Sequence, residues 1–249
     1  MGITRGSIST PIIVDGLVFN MDAANRASYP KIGTTATDTV NSLTGTINGA
    51  DFLTTDNGVF QFDGTDDYIN VNPYASIFNS PTNFSINLAF NSSNFTSSGN
   101  PKLFTKGSNV GSNKALYTWD ITAKQTSGDN NVRFIISDGV NITFFGNTTG
   151  NLSTNTWYIV CCTYTVGVGG VVYLNGITNQ TITTNTGATP HNETGALEIA
   201  RENDGGSGGD YFLGKIGCIQ YYNRALSATE VLHNYNALKG RFGLWNLAA

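Results

Sequence analysis

The sequence predicts an all-β fold: a two-sheet antiparallel jelly-roll sandwich with one short C-terminal helix. Charged residues make up only 12% of the 249 residues, and 29 residues are Gly. The other polar residues are mostly Asn, Thr and Ser, which favour strands and turns over helix interiors. Short apolar or alternating runs recur along the chain between turn residues, which is the pattern of a sandwich.

The predicted strands are short and follow one another along most of the chain. Alternation is clearest at residues 84–90, where Phe84, Ile86 and Leu88 share one face of the strand. We therefore predict that this strand is half buried. Asp-Gly and Asn-Gly pairs between strands tolerate positive φ and predict hairpins, for example at Asn175-Gly176. The predicted strands are residues 17–21, 59–62, 68–71, 84–90, 102–106, 115–122, 132–137, 142–145, 157–165, 170–174, 180–183, 196–201 and 211–222.

One helix is predicted near the C-terminus. Ser227 is followed three residues later by Glu230, the spacing of a capping box at a helix start. Gly240 is the predicted stop. Between them an apolar stripe recurs at helical spacing, and we expect it to pack on a sheet: Val231, Leu232, Tyr235 and Leu238.

The predicted organisation is one domain, residues 16–243, between an N-terminal arm, residues 1–15, and a tail, residues 244–249. Such an arm can add a strand to the sheet edge of a neighbouring copy. The first fourteen residues have a single positive charge and a short apolar run at 12–14. They match neither a secretory signal nor a membrane span.

Charge and cysteine usage argue against several classes of function. The net charge is −4, and the 13 Lys and Arg residues are scattered, so no basic stripe predicts nucleic-acid binding. The three cysteines, Cys161, Cys162 and Cys218, are an odd number without metal or redox spacing. We expect them to be reduced and buried in strands.

Several strings resemble one known family. Gly-Leu-Val-Phe-Asn-Met-Asp-Ala-Ala-Asn at 16–25 and Val-Phe-Gln-Phe-Asp-Gly-Thr-Asp-Asp-Tyr-Ile at 59–69 resemble the opening of laminin-G-like jelly-roll domains of the concanavalin A-like lectin and glucanase group. Residues 155–158 and 172–176 resemble the family's Trp-bearing strand and following hairpin, and residues 212–216 and 221–227 resemble its closing strand and helix entry. The resemblance runs in order from residue 16 to residue 243 and implies the jelly-roll fold.

The Asp-Ala-Ala-Asn string at 22–25 and residues 236–243 are similar to proteins of tailed bacteriophages. This similarity implies a virion component, assembled in the host cytoplasm: a capsid decoration, fibre or tail-associated protein. Its implied partners are other virion proteins, further copies of the chain in a homo-oligomer, and a cell-surface glycan. Neither nucleic acid nor a membrane is an expected partner.

Calcium is the candidate metal, because it binds six to eight oxygens and acidic loops supply them. One candidate set is Asp63, Asp66 and Asp67; the other includes Asp204 and Asp210, with Glu202 and Asn203 nearby. The alternative is that Asp63 serves its hairpin turn and that the second set is solvated in a flexible, glycine-rich loop. Gly217 and Cys218 stand where family members carry an acidic residue, and the loop at 38–45 also departs from the family pattern. Both departures argue against a metal site inherited from the family.

No enzymatic activity and no required cofactor are predicted. A glucanase needs converging carboxylates, and the acidic cluster at 198–204, with Glu198 and Glu202, does not match the order found in laminarinases. Sugar binding would instead use an exposed aromatic platform, although each of these residues also fits the core: Tyr29, Tyr74, Phe95, Tyr117 and Trp119. The leading hypothesis is a phage virion protein carrying a lectin-like adhesion module. A free lectin and a glycanase are the alternatives.

Overall fold

The computed structural model describes residues 11–72, 76–78, 81–96, 99–107, 117–126, 128–140, 142–184, 186–187, 189–192, 195, 197–202 and 209–245. The strands are β1 (Leu17–Asp22), β2 (Thr35–Thr37), β3 (Thr44–Asn48), β4 (Asp51–Leu53), β5 (Val59–Asp63), β6 (Tyr68–Val71), β7 (Asn83–Ser92), β8 (Lys102–Gly107), β9 (Tyr117–Thr126), β10 (Asp129–Ser137), β11 (Ile142–Asn147), β12 (Trp157–Thr165), β13 (Gly169–Leu174), β14 (Ile177–Ile182), β15 (Leu197–Ile199) and β16 (Leu213–Tyr222). The α-helix is α1 (Ala228–Leu238), and 3₁₀ helices span Thr55–Asn57, Ser76–Phe78 and Lys239–Phe242.

The described strands form two antiparallel eight-stranded sheets, which confirms the predicted sandwich. The first sheet has the order β14-β13-β12-β7-β16-β5-β4, and β1 also pairs with β16. The second sheet has the order β11-β10-β9-β8-β15-β6-β3-β2. Strand β16 is long enough to pair with β7 along one edge and with both β5 and β1 along the other.

An aromatic cluster fills the space between the sheets. The ring of Tyr221 stacks on Phe84 and on Trp119, with centroids 5.7 and 5.8 Å apart, and Phe78 meets it edge-on at 4.9 Å. All four side chains are buried. Offset and edge-on ring contacts of this kind add to the free energy gained by burial alone. The cluster therefore ties β7 and β16 of the first sheet to β9 of the second.

Strand β7 differs from its prediction. Its alternating apolar side chains enter the core as expected, but Ser85, Asn87 and Ala89 on the other face are buried as well. The hydroxyl of Ser85 donates to the carbonyl of Arg224 and accepts the amide of Leu226. The segment leading into α1 thus covers this face, so the prediction of a half-buried strand was wrong.

Helix α1 begins as predicted. The side chain of Ser227 accepts the amide of Glu230, and the Glu230 carboxylate accepts the amide of Ser227. The α-helix ends at Leu238 with Lys239 as its C-cap, directly before the predicted stop at Gly240. A 3₁₀ turn then continues through Gly240, and the left-handed residue is Gly243 (φ +70°). Within the predicted apolar stripe, Val231 and Tyr235 are buried, but Leu232 is 43% exposed.

The ends of the domain extend beyond the predicted boundaries. In the predicted arm, the amide of Ile13 donates to Oδ1 of Asn234 at 2.8 Å, and its carbonyl accepts the hydroxyl of Tyr222 at 3.0 Å. Residues 11–15 therefore pack on the domain, whereas residues 1–10 lie outside the described residues. In the predicted tail, Leu244 is buried and its carbonyl accepts the hydroxyl of Tyr235.

The described cysteines are free and buried, as predicted. Burial raises the pKa of the Cys218 thiol to about 11, and it also raises the pKa of Cys161 and Cys162. These thiols therefore stay protonated and act as small apolar side chains. None of the described helices has the length and apolar character that spanning a membrane requires.

Candidate functional site

The predicted acidic loop brings its three aspartates together. Carboxylate oxygens of Asp63, Asp66 and Asp67 lie within 4.8 Å of one another, the one such group of three found among the described residues. Oδ1 of Asp63 accepts the amide of Thr65 at 2.8 Å, and Oδ2 of Asp67 accepts the amide of Asp63 at 2.9 Å. The loop thus uses two of its carboxylates to hold its own turn.

The surroundings of Asp63 and Asp67 shift their pKa values in opposite directions. The backbone amide of Thr65 is the main cause of a lowered pKa at Asp63, whereas burial raises the pKa of Asp67. Calcium binding at this loop stays a prediction. In the second set Asp204 lies outside the described residues, and the carbonyl of Asp210 accepts the amide of Lys102 at 2.9 Å.

Glu198 lies fully buried on the outer face of the second sheet. One of its oxygens accepts Nδ2 of Asn70 at 2.5 Å, and the guanidinium of Arg201 donates to both, at 3.1 and 3.2 Å. That guanidinium also lies 3.4 Å from the ring centroid of Tyr68. Burial raises the pKa of Glu198, and the bonds from Arg201 oppose that shift. The carboxylate is therefore the centre of an internal polar network.

Glu202 belongs to a separate network around Lys102. The ammonium of Lys102 is 2.5 Å from Oδ2 of Asp120 and 3.3 Å from Oε2 of Glu202, and all three side chains are buried. The hydroxyl of Thr122 donates to Oδ1 of Asp120 at 2.6 Å. Burial is the main cause of a raised pKa at Glu202, and Lys102 opposes it. The structure thus places Glu198 and Glu202 with different cations.

The predicted aromatic platforms are not surface features where the structure describes them. Tyr29, Phe95 and Trp119 are all buried, so the alternative prediction, that they are core residues, is confirmed. Burial of their apolar area inside the sandwich lowers the free energy of the folded state. Tyr74 and the side chain of Tyr117 lie outside the described residues.

A groove of about 720 Å³ lies between helix α1 and the hairpin that joins β13 to β14. Its lining combines apolar side chains with amides and hydroxyls: Leu174, Asn175, Gly176, Ile177, Thr178, Asn179, Ala228, Thr229, Leu232, Tyr235, Asn236 and Lys239. Ile177 and Leu232 are 53% and 43% exposed, so the apolar part of the lining faces the open groove. Concave sites with this mixture are the usual ligand sites of proteins.

Long-range contacts fix the hairpin side of the groove. Asn175 and Gly176 adopt positive φ, as the predicted turn requires, and Oδ1 of Asn175 accepts the amide of Ile159 at 3.0 Å. Gly176 packs on the side chain of Tyr235. A Cβ added at Gly176 would lie 2.8 Å from Cβ of Tyr235 and 2.9 Å from its ring. Oδ1 of Asn179 accepts the amide of Thr149. This wall of the groove is therefore preformed by contacts within the protein.

The helix side offers groups that are free to bind. Asn236 is exposed, and its side-chain amide makes no hydrogen bond among the described residues. Lys239 is the one charged residue in the lining, and its ammonium lies 5.6 Å from the ring centroid of Tyr235. An exposed amide beside apolar side chains suits a sugar ring, which has hydroxyls at its edge and apolar C–H groups on its faces. The hairpin and the helix were each predictable from local sequence signals, whereas the groove between them was not.

Solved structures share this fold at low identity. Domain 4 of AbnA, a GH43 extracellular arabinanase from Geobacillus stearothermophilus solved with arabinotriose, is 14% identical with a TM-score of 0.63 over 88% of this chain and 98% of that chain. The binding domain of Paraclostridial Mosquitocidal Protein 1 is 17% identical with a TM-score of 0.66, over 89% and 52%. Trypanosoma rangeli sialidase, solved with sialic acid, is 18% identical with a TM-score of 0.64, over 94% and 36%.

A comparison with curated protein sequences gives no match. A laminin-G family model, described as concanavalin A-like lectin/glucanases superfamily, matches residues 63–232. This match covers most of the chain and agrees with the two-sheet topology and the single terminal helix. The chain therefore belongs to the concanavalin A-like lectin/glucanases superfamily.

Proposed function

We propose that this chain is a non-enzymatic glycan-binding adhesion module displayed on a bacteriophage particle. The observation that carries the glycan-binding part is the groove between α1 and the β13–β14 hairpin. Its hairpin wall is preformed, and it presents Leu232, Ile177 and the unengaged amide of Asn236 to solvent. A preformed site loses less conformational freedom on binding, which suits the recognition of weakly held sugars.

The state of the acidic residues supports a binding role over hydrolysis. Two-carboxylate hydrolysis needs a general acid and a free base on either side of one glycosidic bond. Glu198 is held by Asn70 and Arg201, and Glu202 lies against Lys102. Each carboxylate thus already has an internal cation, and neither lines the groove.

The fold relatives guide the choice of sugars to test. One was solved with arabinotriose and another with sialic acid. Low identity transfers the fold and not the ligand, so both sugars are starting probes. Lys239 at the groove gives a reason to include acidic sugars, because its ammonium can pair with a carboxylate.

The particle part of the proposal is supported by the similarity of residues 22–25 and 236–243 to tailed-phage proteins. In that setting the partners are other virion proteins and further copies of this chain, and the groove faces a glycan on the host cell. A folded domain with an open ligand groove suits display at a particle surface.

A glycan array that includes arabinotriose and sialylated glycans tests the glycan-binding part. We expect the wild type to bind a defined subset and the double variant Leu232→Ser/Asn236→Ala to lose that binding. The matched control is Val168→Ser, which changes an exposed apolar residue outside the groove lining. An array without any bound glycan, or binding unchanged in the double variant, would contradict the proposal.

Mass spectrometry of purified phage particles tests the particle part. We expect the chain in a fixed ratio to the major capsid protein after density-gradient purification. Its absence from particles, together with sugar binding by the purified protein, would instead identify a free lectin.

A further inference from the structure

Trp245 is an exposed aromatic side chain at the C-terminal end of the domain. The chain contains three Trp residues. Trp119 and Trp157 are 0% and 7% exposed, whereas Trp245 is 69% exposed. An exposed indole presents a large flat aromatic face to solvent, with an N–H donor at its edge, so it can pack on an apolar ligand face.

The backbone around Trp245 is held by the groove. Gly243 turns the chain back on itself with φ +70°, and the amide of Leu244 then donates to the carbonyl of Lys239 at 3.0 Å. The carbonyl of Leu244 accepts the hydroxyl of Tyr235 at 3.1 Å. Both Tyr235 and Lys239 line the groove. The residue that precedes Trp245 is therefore bonded to two residues of the groove.

The indole rests on a glycine. An added Cβ at Gly240 would lie 2.5 Å from a ring atom of Trp245, so any larger residue there would displace the ring. Gly240 directly follows Lys239, the last groove residue of the chain. One side of the indole is thus supported by the 3₁₀ turn that begins at Lys239, and the rest of the ring is exposed.

We infer that Trp245 is a stacking subsite for a further sugar ring, so that the ligand of the groove is an oligosaccharide that extends past Lys239 onto the indole. This inference rests on the proposed glycan binding. The apolar C–H face of a pyranose or furanose ring packs on an aromatic face, and a positioned ring loses little entropy when it binds. The groove recognises one end of the oligosaccharide through its amides, and Trp245 selects for chain length.

The test uses an array in which each sugar is present as the monosaccharide and as longer oligosaccharides. For the wild type we expect binding to strengthen with chain length. For Trp245→Ala we expect about a tenfold loss for the longer ligands and little change for the shortest. Trp245→Phe should keep part of the length dependence. Gly240→Ala keeps the indole but displaces it, so this variant should lose the length dependence of binding.

Tryptophan fluorescence gives a second readout, because Trp245 is the one exposed indole of the three. Bound oligosaccharide should protect the emission from quenching by acrylamide, and the monosaccharide should not. Length dependence unchanged in Trp245→Ala, while Leu232→Ser/Asn236→Ala abolishes binding, would overturn the subsite and leave the proposed function intact. A wild type that binds nothing on the array would overturn both.

Discussion

Nη1 of Arg241 donates to Oδ1 of Asp22 at 2.6 Å and so joins the turn after α1 to the end of β1. The same guanidinium donates to the carbonyls of Asp56, Gly58 and Gly217. Five donors in a planar fork suit this arrangement, which Lys could not reproduce. The 3₁₀ turn that begins at Lys239 and precedes Trp245 is thereby fixed to the first sheet.

Arg241→Ala should lower the free energy of unfolding by about 2–4 kcal/mol, because it removes the cationic partner of the partly buried Asp22 carboxylate and a donor to three backbone carbonyls. Urea denaturation followed by circular dichroism measures the change. Arg26→Ala is the matched control, since Arg26 is exposed, and it should stay within about 0.5 kcal/mol of wild type. Equal effects of the two substitutions would contradict the structural role of Arg241.

The contribution of Glu230 to stability should depend on pH. Hydrogen bonds from Arg224, followed by the amide of Ser227, lower the pKa of Glu230 from 4.5 to about 2. Because the folded-state pKa is the lower one, the stabilisation is present above pH 4.5 and is lost as the pH falls towards 2. The pair is partly open to solvent, so we expect about 1–2 kcal/mol after screening.

Comparison with Glu230→Gln isolates this effect. Buried Glu198 and Glu202 have raised pKa values, so protonation on acidification favours the folded state and acts in the opposite direction. Both proteins share that contribution, and their stability difference removes it. The difference should be largest at pH 6 and shrink below pH 4.5. A stability difference that stays constant from pH 6 to pH 2.5 would show that the Arg224–Glu230 pair makes no pH-dependent contribution to stability.

Substitution of Glu198 should affect stability and not turnover. Glu198→Ala removes one partner of a buried ion pair and leaves Arg201 uncompensated, which should cost about 3–5 kcal/mol. Asp129→Asn, at an exposed position, is the control and should have little effect. Incubation with a β-glucan should release no reducing sugar. Turnover that Glu198→Gln and Glu202→Gln abolish without unfolding would instead identify a glycanase.

The domain should fold without calcium, since the loop of Asp63 and Asp67 already satisfies its own amides with these carboxylates. We expect EDTA to leave the midpoint of thermal unfolding unchanged. A lower midpoint in EDTA that calcium restores would instead establish a metal site. Asp66→Asn would then abolish the restoration, because the Asp66 carboxylate makes no hydrogen bond among the described residues.

Strands with several apolar residues were predictable from sequence, and strand β12 matches its prediction at both ends. Strands β2, β3 and β4 were not predicted. Thr35–Thr37 contains one apolar residue and Thr44–Asn48 contains one large apolar residue, Ile47, so neither has a period to detect. The extended state of β2 comes from pairing with β3, that of β3 also from pairing with β6, and that of β4 from pairing with β5. Such pairing is a tertiary property that a short segment does not show.

The site was less predictable than the fold. The groove forms where residues 174–179 meet residues 228–239, and no local pattern reports that contact. Exposure of Leu232 could not be read from its helical spacing, because the spacing predicts a stripe and not where the stripe ends. Likewise, the pairing of Lys102 with Asp120 and Glu202 depends on the register between β8 and β9 and on the approach of a distant segment.

Mapping a bound oligosaccharide by amide chemical-shift changes in NMR tests the central claim most directly. The ligand is the glycan that gives the strongest signal on the array. We predict shifts concentrated at residues 174–179, 228–239 and 245, with the outer face of the second sheet around Glu198 and Lys102 unchanged. Shifts confined to that outer face, with the groove silent, would contradict the account.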